Sequence, residues 1–333
     1  MKKRIITLLA FVLPLTLVLS GFSNKLNTGF EPPTTTGETQ TLLEFLESNR
    51  NFVNTDAAPA LVPAAEVKKN LKNPKYHIID IRSESWFDYG HVKDASNVQP
   101  SDLLTYFENS IVPADFEKIV LICYSGQSAA YFTSLLRIAG YDNVYSMKWG
   151  MSSWRVDFAE NAWLKNTKSD FDDKLETSVN EKGPKGDLPS ISTGKSDAEA
   201  ILRARLEELF ATPYKESITK ASDVFANPGD YYIVDYNSLD QYQIGHIPTA
   251  VQYQPNGSLI SEKDLLTLPS DKKIAVCGTT GQETAYVVAY LDVLGYEASN
   301  IGYGANSFMH KTLKDNNFDA FTKKEVNMYP VVE

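Results

Sequence analysis

The sequence predicts an α/β protein made of two tandem copies of one domain, each a parallel β-sheet flanked by helices on both faces. Two observations lead to this fold class. The segment that ends at Pro100 recurs in the segment that ends at Pro255, and matching positions such as Asp80 and Asp235 lie 155 residues apart. Each copy also alternates short β-branched runs with stretches of helical spacing, which is typical of parallel sheets covered by helices. A repeat of this length indicates a duplicated domain and not a solenoid unit.

The same patterns predict individual elements in each copy. The predicted strands are 77–81, 118–123, 231–235 and 273–277. The predicted helices are 127–139, 198–210 and 282–294. Gly140 and Gly295 follow two of these helices, and glycine at this place commonly ends a helix. The amphipathic helix at 198–210 is expected to open the second copy.

These elements divide the main part of the chain into two domains and a linker. We expect the first domain at 40–165 and the second at 198–333. Residues 166–197 are polar and contain too few apolar side chains to make a core, so they are expected to form a polar linker.

Residues 1–23 have the pattern of a bacterial export signal peptide. Three basic residues, Lys2 to Arg4, precede an apolar run from Ile5 to Leu19, and the small residues Ser20 and Ser23 offer cleavage points. The run is short for a membrane span. We therefore expect an exported protein of the periplasm or cell envelope, with membrane anchoring through an uncleaved signal as the alternative.

The composition argues against several classes of function. The chain has 32 Lys and Arg residues against 42 Asp and Glu residues, a net charge of −10 that opposes binding to nucleic-acid phosphates. Two cysteines and four histidines are too few for a disulfide-rich scaffold or a Cys/His zinc site. We expect no metal and no cofactor, so any chemistry must use very few soft nucleophiles.

Both cysteines occupy the same place in the repeat. Cys123 and Cys277 each end a predicted strand and precede a glycine-containing turn into a helix. Backbone N–H groups and the helix N-terminus at such a turn stabilise an anion, so we expect a lowered cysteine pKa there. Two alternatives remain open: two buried thiols with no reactivity, or a disulfide between Cys123 and Cys277.

The motifs of both copies, taken in order, resemble the rhodanese (thiosulfate sulfurtransferase) domain, and the resemblance covers nearly all of the chain after the signal. The first copy carries Asp80-Ile81-Arg82, Gly90-His91-Val92, Ala95, Cys123 to Ser128, Trp149-Gly150 and Trp154. The second copy carries Asp235, Gly245-His246-Ile247, Ala250, Cys277 and Gly304. The resemblance implies two tandem rhodanese-like domains.

The resemblance also implies persulfide chemistry, in which Cys123 is the catalytic nucleophile and takes sulfur from a donor. The substrate-binding residues expected from it are Tyr124, Ser125, Gly126, Gln127 and Ser128 of the loop, together with Arg82 or Lys148 for the anion. A structural role for Arg82 beside Asp80 competes with substrate contact. The other motif residues are expected to belong to the scaffold: His91, Asp235 and His246.

The second loop differs from the first in length and charge. The first loop spans six residues from Cys123 to Ser128, and the second spans seven from Cys277 to Glu283 through Gly281. Seven is the length in the cell-cycle phosphatases of this fold, which end the loop with arginine where this chain has Glu283. A carboxylate there repels an anionic substrate and raises the thiol pKa. We expect the second domain to be inactive or specialised.

The leading hypothesis is therefore an exported sulfurtransferase. Its expected partners are a small sulfur-containing anion such as thiosulfate, a thiol or cyanide-like acceptor, and a protein of the cell envelope. A non-catalytic rhodanese-like binding or sulfur-carrier module is the main alternative, because the first loop contains no arginine. A phosphatase or arsenate reductase is a third hypothesis, and the absence of arginine at either loop end argues against it.

Overall fold

The computed structural model describes residues 37–333, so the export signal predicted at 1–23 lies outside the described residues. Within that range no helix is long and apolar enough to cross a membrane. The described residues contain two five-stranded sheets, one for each copy of the repeat.

The two sheets have the same topology and are parallel throughout. The first has the order β1-β5-β4-β2-β3 and the second the order β6-β10-β9-β7-β8. The strands of the first sheet are β1 (Leu61–Val62), β2 (Tyr76–Asp80), β3 (Ser96–Asn97), β4 (Lys118–Ile122) and β5 (Val144–Met147). Those of the second are β6 (Ile218–Thr219), β7 (Tyr231–Asp235), β8 (Val251–Gln252), β9 (Lys273–Cys277) and β10 (Ala298–Ile301).

Helices cover the sheets, as an all-parallel sheet requires for the burial of both its faces. Those of the first copy are α1 (Glu38–Asn49), α2 (Ala64–Lys69), α3 (Glu84–Tyr89), α4 (Leu103–Asn109), α5 (Gln127–Ile138), α6 (Val156–Asn161) and α7 (Trp163–Asn166). Those of the second are α8 (Ala198–Ala211), α9 (Ala221–Ala226), α10 (Leu239–Ile244), α11 (Gln282–Val293) and α12 (His310–Asp315). The predicted fold class is confirmed, and the predicted strands and helices agree with the observed ones to within one residue at each end.

The helices α5 and α11 form the centre of the molecule. Every residue of α5 except Ser128 is buried, and every residue of α11 except Glu283 is buried. A helix that is buried on all sides must be covered by protein all round. Here each helix packs on its own sheet and on the other helix, so one continuous apolar core joins both copies. Side-chain hydrogen bonds cross between the helices, for example from Ser134 Oγ to the Tyr286 carbonyl at 2.9 Å.

The segment after each domain packs on the other domain. Glu176, which follows the first domain, forms a backbone bridge with His246 of the second. Val332, at the end of the second domain, forms the equivalent bridge with His91 of the first. The start of the predicted linker is therefore part of the packing of the second copy.

The rest of the predicted linker also lies against the domains. Leu188 and Ile191 pack on the shared core. The Glu38 carboxylate of α1 accepts hydrogen bonds from the backbone N–H groups of Thr193 and Gly194 at 2.6 and 2.9 Å. The polar residues thus lie along the surface, while the few apolar ones attach the segment to the core.

Candidate active site

The first candidate loop follows β4 and places the Cys123 sulfur among backbone donors. The N–H groups of Gly126 and Ala129 point to Sγ at 3.1 and 3.3 Å. Gly126 has φ +86° at the N-cap of α5, a left-handed conformation that suits glycine. The loop therefore presents amide hydrogens to sulfur, as its sequence predicts, and this arrangement favours a negatively charged sulfur.

The pKa of Cys123 nevertheless differs from the sequence expectation. Burial raises the pKa of this thiol, while the Ser128 hydroxyl and the N–H groups of Ala129, Gly126 and Ser125 lower it. The expectation of a lowered pKa is wrong for the resting protein because loss of hydration outweighs these bonds. The amides instead supply stabilisation that a negative sulfur can use once it forms.

The turn after β5, which contains Gly150 and Met151, packs against the Cys123 loop and supports it. The N–H of Met151 donates to the Cys123 carbonyl at 2.9 Å. A side chain at Gly150 would place its Cβ 2.5 Å from that same carbonyl oxygen and 2.5 Å from the Gly126 nitrogen. Gly150, at φ +57°, therefore allows the close approach that keeps the loop in shape.

A cavity of about 440 Å³ lies over this loop, between the two copies. Tyr124, Ser125, Gln127 and Ser128 line it, so the structure brings four of the predicted substrate-binding residues together. Four other lining residues come from the second copy: Tyr214, Lys215, Ile218 and Tyr303. Among the described residues that line this cavity, Lys215 is the one cation.

Arg82 and Lys148 do not line this cavity. The Arg82 guanidinium is fully buried, bonds to both carboxylate oxygens of Asp80 and donates to the Gly90 carbonyl at 2.8 Å. Lys148 Nζ forms an ion pair with Asp319 at 2.7 Å. Both cations are thus engaged with protein carboxylates, and the geometry of Arg82 matches its competing structural role.

The two motif histidines have the same scaffold-like environment. His91 Nδ1 lies 2.9 Å from the Phe87 carbonyl oxygen, and its ring stacks on that of Phe87. His246 Nδ1 lies 2.8 Å from the Tyr242 carbonyl oxygen and stacks on Tyr242. Each ring therefore closes the turn after a short helix, and neither lines the cavity over Cys123.

The second loop, from Cys277 to Glu283, is largely buried, and one of its backbone N–H groups is already bonded to a carboxylate of the loop itself. Glu283 turns back so that its carboxylate accepts hydrogen bonds from the Thr280 backbone N–H at 2.6 Å and from the Thr280 hydroxyl. Residues Gly278 to Gly281 are all buried, whereas Tyr124 and Ser125 of the first loop are partly exposed. A loop amide that would serve an anionic substrate is thus occupied by the chain's own carboxylate.

Cys277 has no donor cradle in this loop. Its Sγ lies 3.6 Å from the Gly278 carbonyl oxygen, to which a protonated thiol can donate. Burial raises the pKa of Cys277 well above its usual range, and the charges of Asp235 and Glu283 raise it further. Both cysteines are free thiols, so the disulfide alternative is not formed.

Asp235 of the second copy lacks the arginine that neutralises its counterpart Asp80. Asn237 occupies the place of Arg82 and donates to the Asp235 carboxyl at 2.9 Å. Because a neutral amide cannot offset the loss of hydration, burial raises the pKa of Asp235 to about 7.

Two glutamines connect the loops across the domain interface. Gln282, beside the second loop, accepts a hydrogen bond from the Trp149 N–H at 2.9 Å. Gln127, beside the first loop, accepts one from the Tyr303 N–H at 2.7 Å. Trp149 and Tyr303 have matching left-handed conformations, with φ of 65° and 64°. Gln282 of the second domain therefore holds the turn that supports the first loop, and Gln127 of the first domain holds the turn that supports the second loop. The side-chain carbonyl of Gln127 is already hydrogen-bonded to the Tyr303 N–H.

The comparisons with known proteins agree with this architecture. The model of the Rhodanese-like domain family matches residues 63–157 and 217–311, more than half of the chain. This chain belongs to the rhodanese-like family. The match contains both cysteine loops, which confirms the tandem arrangement expected from the sequence.

Individual relatives include enzymes that transfer sulfur. The rhodanese-like chain is 35% identical over 78 residues to the thiosulfate sulfurtransferase GlpE of Shewanella oneidensis, a match that covers 23% of this chain and 73% of that protein. These findings support a sulfurtransferase function.

Two solved structures match over a larger share of the chain. The thiosulfate sulfurtransferase of Pseudomonas aeruginosa is 16% identical, with 89% of this chain and 48% of that chain covered and a TM-score of 0.28. SseA of Escherichia coli, one of the 3-mercaptopyruvate sulfotransferases, is 17% identical, with 74% and 98% covered and a TM-score of 0.25. The fold assignment rests on the family match and the sheet topology.

Sequence reasoning missed the residues that the second copy contributes to the first cavity. Lys215 and Tyr214 lie between α8 and β6, far in sequence from the Cys123 loop and outside any motif. No local signal could have identified them, because only the packing of the copies brings them to the cavity. No group of three or more His, Cys, Asp or Glu side chains within residues 37–333 is arranged to hold a metal ion.

The link between the loops predicts that Gln282→Leu slows sulfur loading of Cys123 by about tenfold. Loss of the acceptor for the Trp149 N–H frees the turn that holds the loop, and leaving such a buried donor unpaired costs about 1–3 kcal/mol. Ser134→Ala is the matched control, since it removes another hydrogen bond between the same helices away from the loops. Rates are measured at saturating donor on protein shown to be folded by circular dichroism. Equal loading rates in the two variants would contradict the positioning role.

The raised pKa of Asp235 predicts a pH-dependent stability. The group's contribution to stability is complete below its unfolded pKa of about 3.9 and is lost as pH rises through about 7, because the folded chain keeps a proton that the unfolded chain releases. Wild type should therefore lose about 1 kcal/mol per pH unit relative to Asp235→Asn between pH 5 and 7. The neighbouring groups Cys277 and Tyr242 have raised pKa values and stay neutral in this range.

Urea denaturation of both proteins at several pH values measures this difference. The exposed change Asp271→Asn is the control and should give a difference that does not vary with pH. A constant difference for Asp235→Asn would show that its carboxyl has an ordinary pKa.

Proposed function

We propose that this rhodanese-like protein is an exported sulfurtransferase that moves sulfane sulfur from a donor such as thiosulfate to a thiophilic acceptor through a Cys123 persulfide. The observation that carries the proposal is the pair of backbone N–H groups, from Gly126 and Ala129, directed at the Cys123 sulfur. The sulfur is buried beneath the loop, whose residues Tyr124, Ser125, Gln127 and Ser128 line the cavity. The second loop supports the assignment by contrast, since its sulfur lacks such donors.

In the first step the Cys123 thiol loses its proton to water, and the resulting thiolate attacks the outer sulfur of thiosulfate. A new S–S bond forms at Cys123 while the S–S bond of thiosulfate breaks, and its electron pair leaves with sulfite. In the second step an acceptor attacks the outer sulfur of the persulfide and forms a bond to it. The S–S bond to Cys123 breaks, and its electron pair stays on the Cys123 sulfur. This is covalent catalysis in two displacements. The loop amides stabilise the negative charge on sulfur in both steps, as an oxyanion hole does for oxygen.

The cation that lines the cavity is not one of the two that the sequence led us to expect, Arg82 and Lys148. Lys215 of the second domain is exposed and lines the cavity, so it can attract the donor's negative charge. Arg82 and Lys148 are engaged elsewhere. The second domain therefore serves the reaction by closing the cavity and supplying its cation, while its own loop stays closed.

The proposal predicts that thiosulfate adds one sulfur atom to Cys123 and releases sulfite. Cys123→Ser should fold normally and lose all transfer, because it removes the nucleophile. Cys277→Ser is the matched variant and should keep transfer within a few-fold of wild type. Intact mass and peptide mapping after donor treatment measure both. Persulfide on Cys277 alone would reverse the domain assignment, and no added sulfur would favour a binding or carrier module.

Export is the second component of the proposal and rests on the N-terminal sequence. We expect the mature chain to begin near residue 21 or 24, after a basic start and an apolar run. N-terminal sequencing of the protein from the cell envelope measures this. A cytoplasmic protein that retains Met1 would contradict export, whereas envelope protein that retains Met1 would indicate the anchored form.

A further inference from the structure

A second cavity, larger than the one over Cys123, lies beside it on the second domain. Its volume is about 710 Å³, and it opens where β6 and β10 end. Ligands of parallel α/β sheets bind at the carboxyl ends of the strands, so this is a favourable place for one. Neither the cysteine loops nor their motifs account for it.

The two cavities share a wall. Lys215, Ile218 and Tyr303 line both of them. A molecule bound in the larger cavity therefore lies next to the cavity over the Cys123 loop. The smaller cavity, at about 440 Å³, is lined by residues of the Cys123 loop and is the proposed place of the small donor. The larger one is of a size that suits an organic ligand.

The charge of the larger cavity points to the kind of ligand. Three lysines line it, Lys168, Lys215 and Lys220, and none of them forms an ion pair within residues 37–333. Two carboxylates, Asp170 and Asp223, also line it, which leaves an excess of one positive charge. In a chain with a net charge of −10, a locally positive cavity is an exception that favours an anionic ligand.

We propose that the larger cavity binds the sulfur acceptor, and that this acceptor is a small thiol carrying carboxylates. This inference rests on the proposed sulfurtransferase function. Lys168 and Lys220 hold the carboxylates, and Lys215 lies at the boundary between acceptor and donor. The acceptor thiolate attacks the outer sulfur of the Cys123 persulfide. A new S–S bond forms on the acceptor, the persulfide bond breaks, and its electron pair returns to Cys123.

The test separates the two half-reactions. Protein is first loaded with thiosulfate and freed of donor, and then mixed with mercaptosuccinate, which carries two carboxylates, or with neutral 2-mercaptoethanol. The variant is Lys168→Ala with Lys220→Ala. The control is Lys195→Ala with Lys272→Ala, which removes the same charge from exposed lysines that line neither cavity.

We expect the variant to transfer sulfur to mercaptosuccinate about three- to tenfold more slowly than wild type, since two exposed ion pairs are lost. Transfer to 2-mercaptoethanol and loading by thiosulfate should change less than twofold. The difference should shrink at about 1 M salt, where charges are screened within about 3 Å. Equal slowing with both acceptors, or no slowing with mercaptosuccinate, would overturn the assignment.

A binding measurement keeps the proposal testable without turnover. S-methyl mercaptosuccinate carries the carboxylates but cannot accept sulfur, and calorimetry with unloaded protein measures its affinity. Wild type and the control should bind it, and the Lys168→Ala, Lys220→Ala variant should bind it several-fold more weakly. Equal affinity would refute the acceptor site. Failure of thiosulfate to load Cys123 would instead refute the proposed sulfurtransferase function and leave the binding result to decide the site.

Discussion

The packing of α5 against α11 is the contact on which the rest of the structure depends. Each helix starts at a cysteine loop, and each is buried along its length against its own sheet and the other helix. The first residues of the two helices, Gln127 and Gln282, accept hydrogen bonds across the interface from the backbone N–H groups of Tyr303 and Trp149, respectively. The two loops therefore cannot be positioned independently, because each is supported by the opposite domain.

Because the two domains have the same topology, their cysteine loops can be compared directly. Backbone N–H groups surround Cys123, whereas the second loop is one residue longer and binds its own Glu283 carboxylate. Buried thiols resist ionisation in both loops, but only the first offers donors that offset a negative sulfur. Electrostatics thus distinguishes two domains whose topology is the same. The second domain forms part of the cavity wall and contributes Lys215 to it.

Much of the fold could be predicted because its signals are local. The strand 231–235 is marked by β-branched and aromatic residues, and the helix 282–294 by apolar spacing and a final glycine, so both appear where expected. The pKa of Cys123 could not be predicted in the same way. Its amide donors are implied by the loop motif, but the burial that outweighs them is set by the folded chain around the sulfur.

The sequence by itself determined the duplicated α/β fold, the place of both cysteines and the altered second loop, since each of these follows from local patterns and from their recurrence along the chain. Only the tertiary structure decided which cations face the cavity. Arg82 forms a buried ion pair with Asp80 and does not line the cavity, whereas Lys215 of the second domain does. The physical reason is that charge pairing and cavity walls are contacts between residues distant in sequence, which form only when the two domains pack.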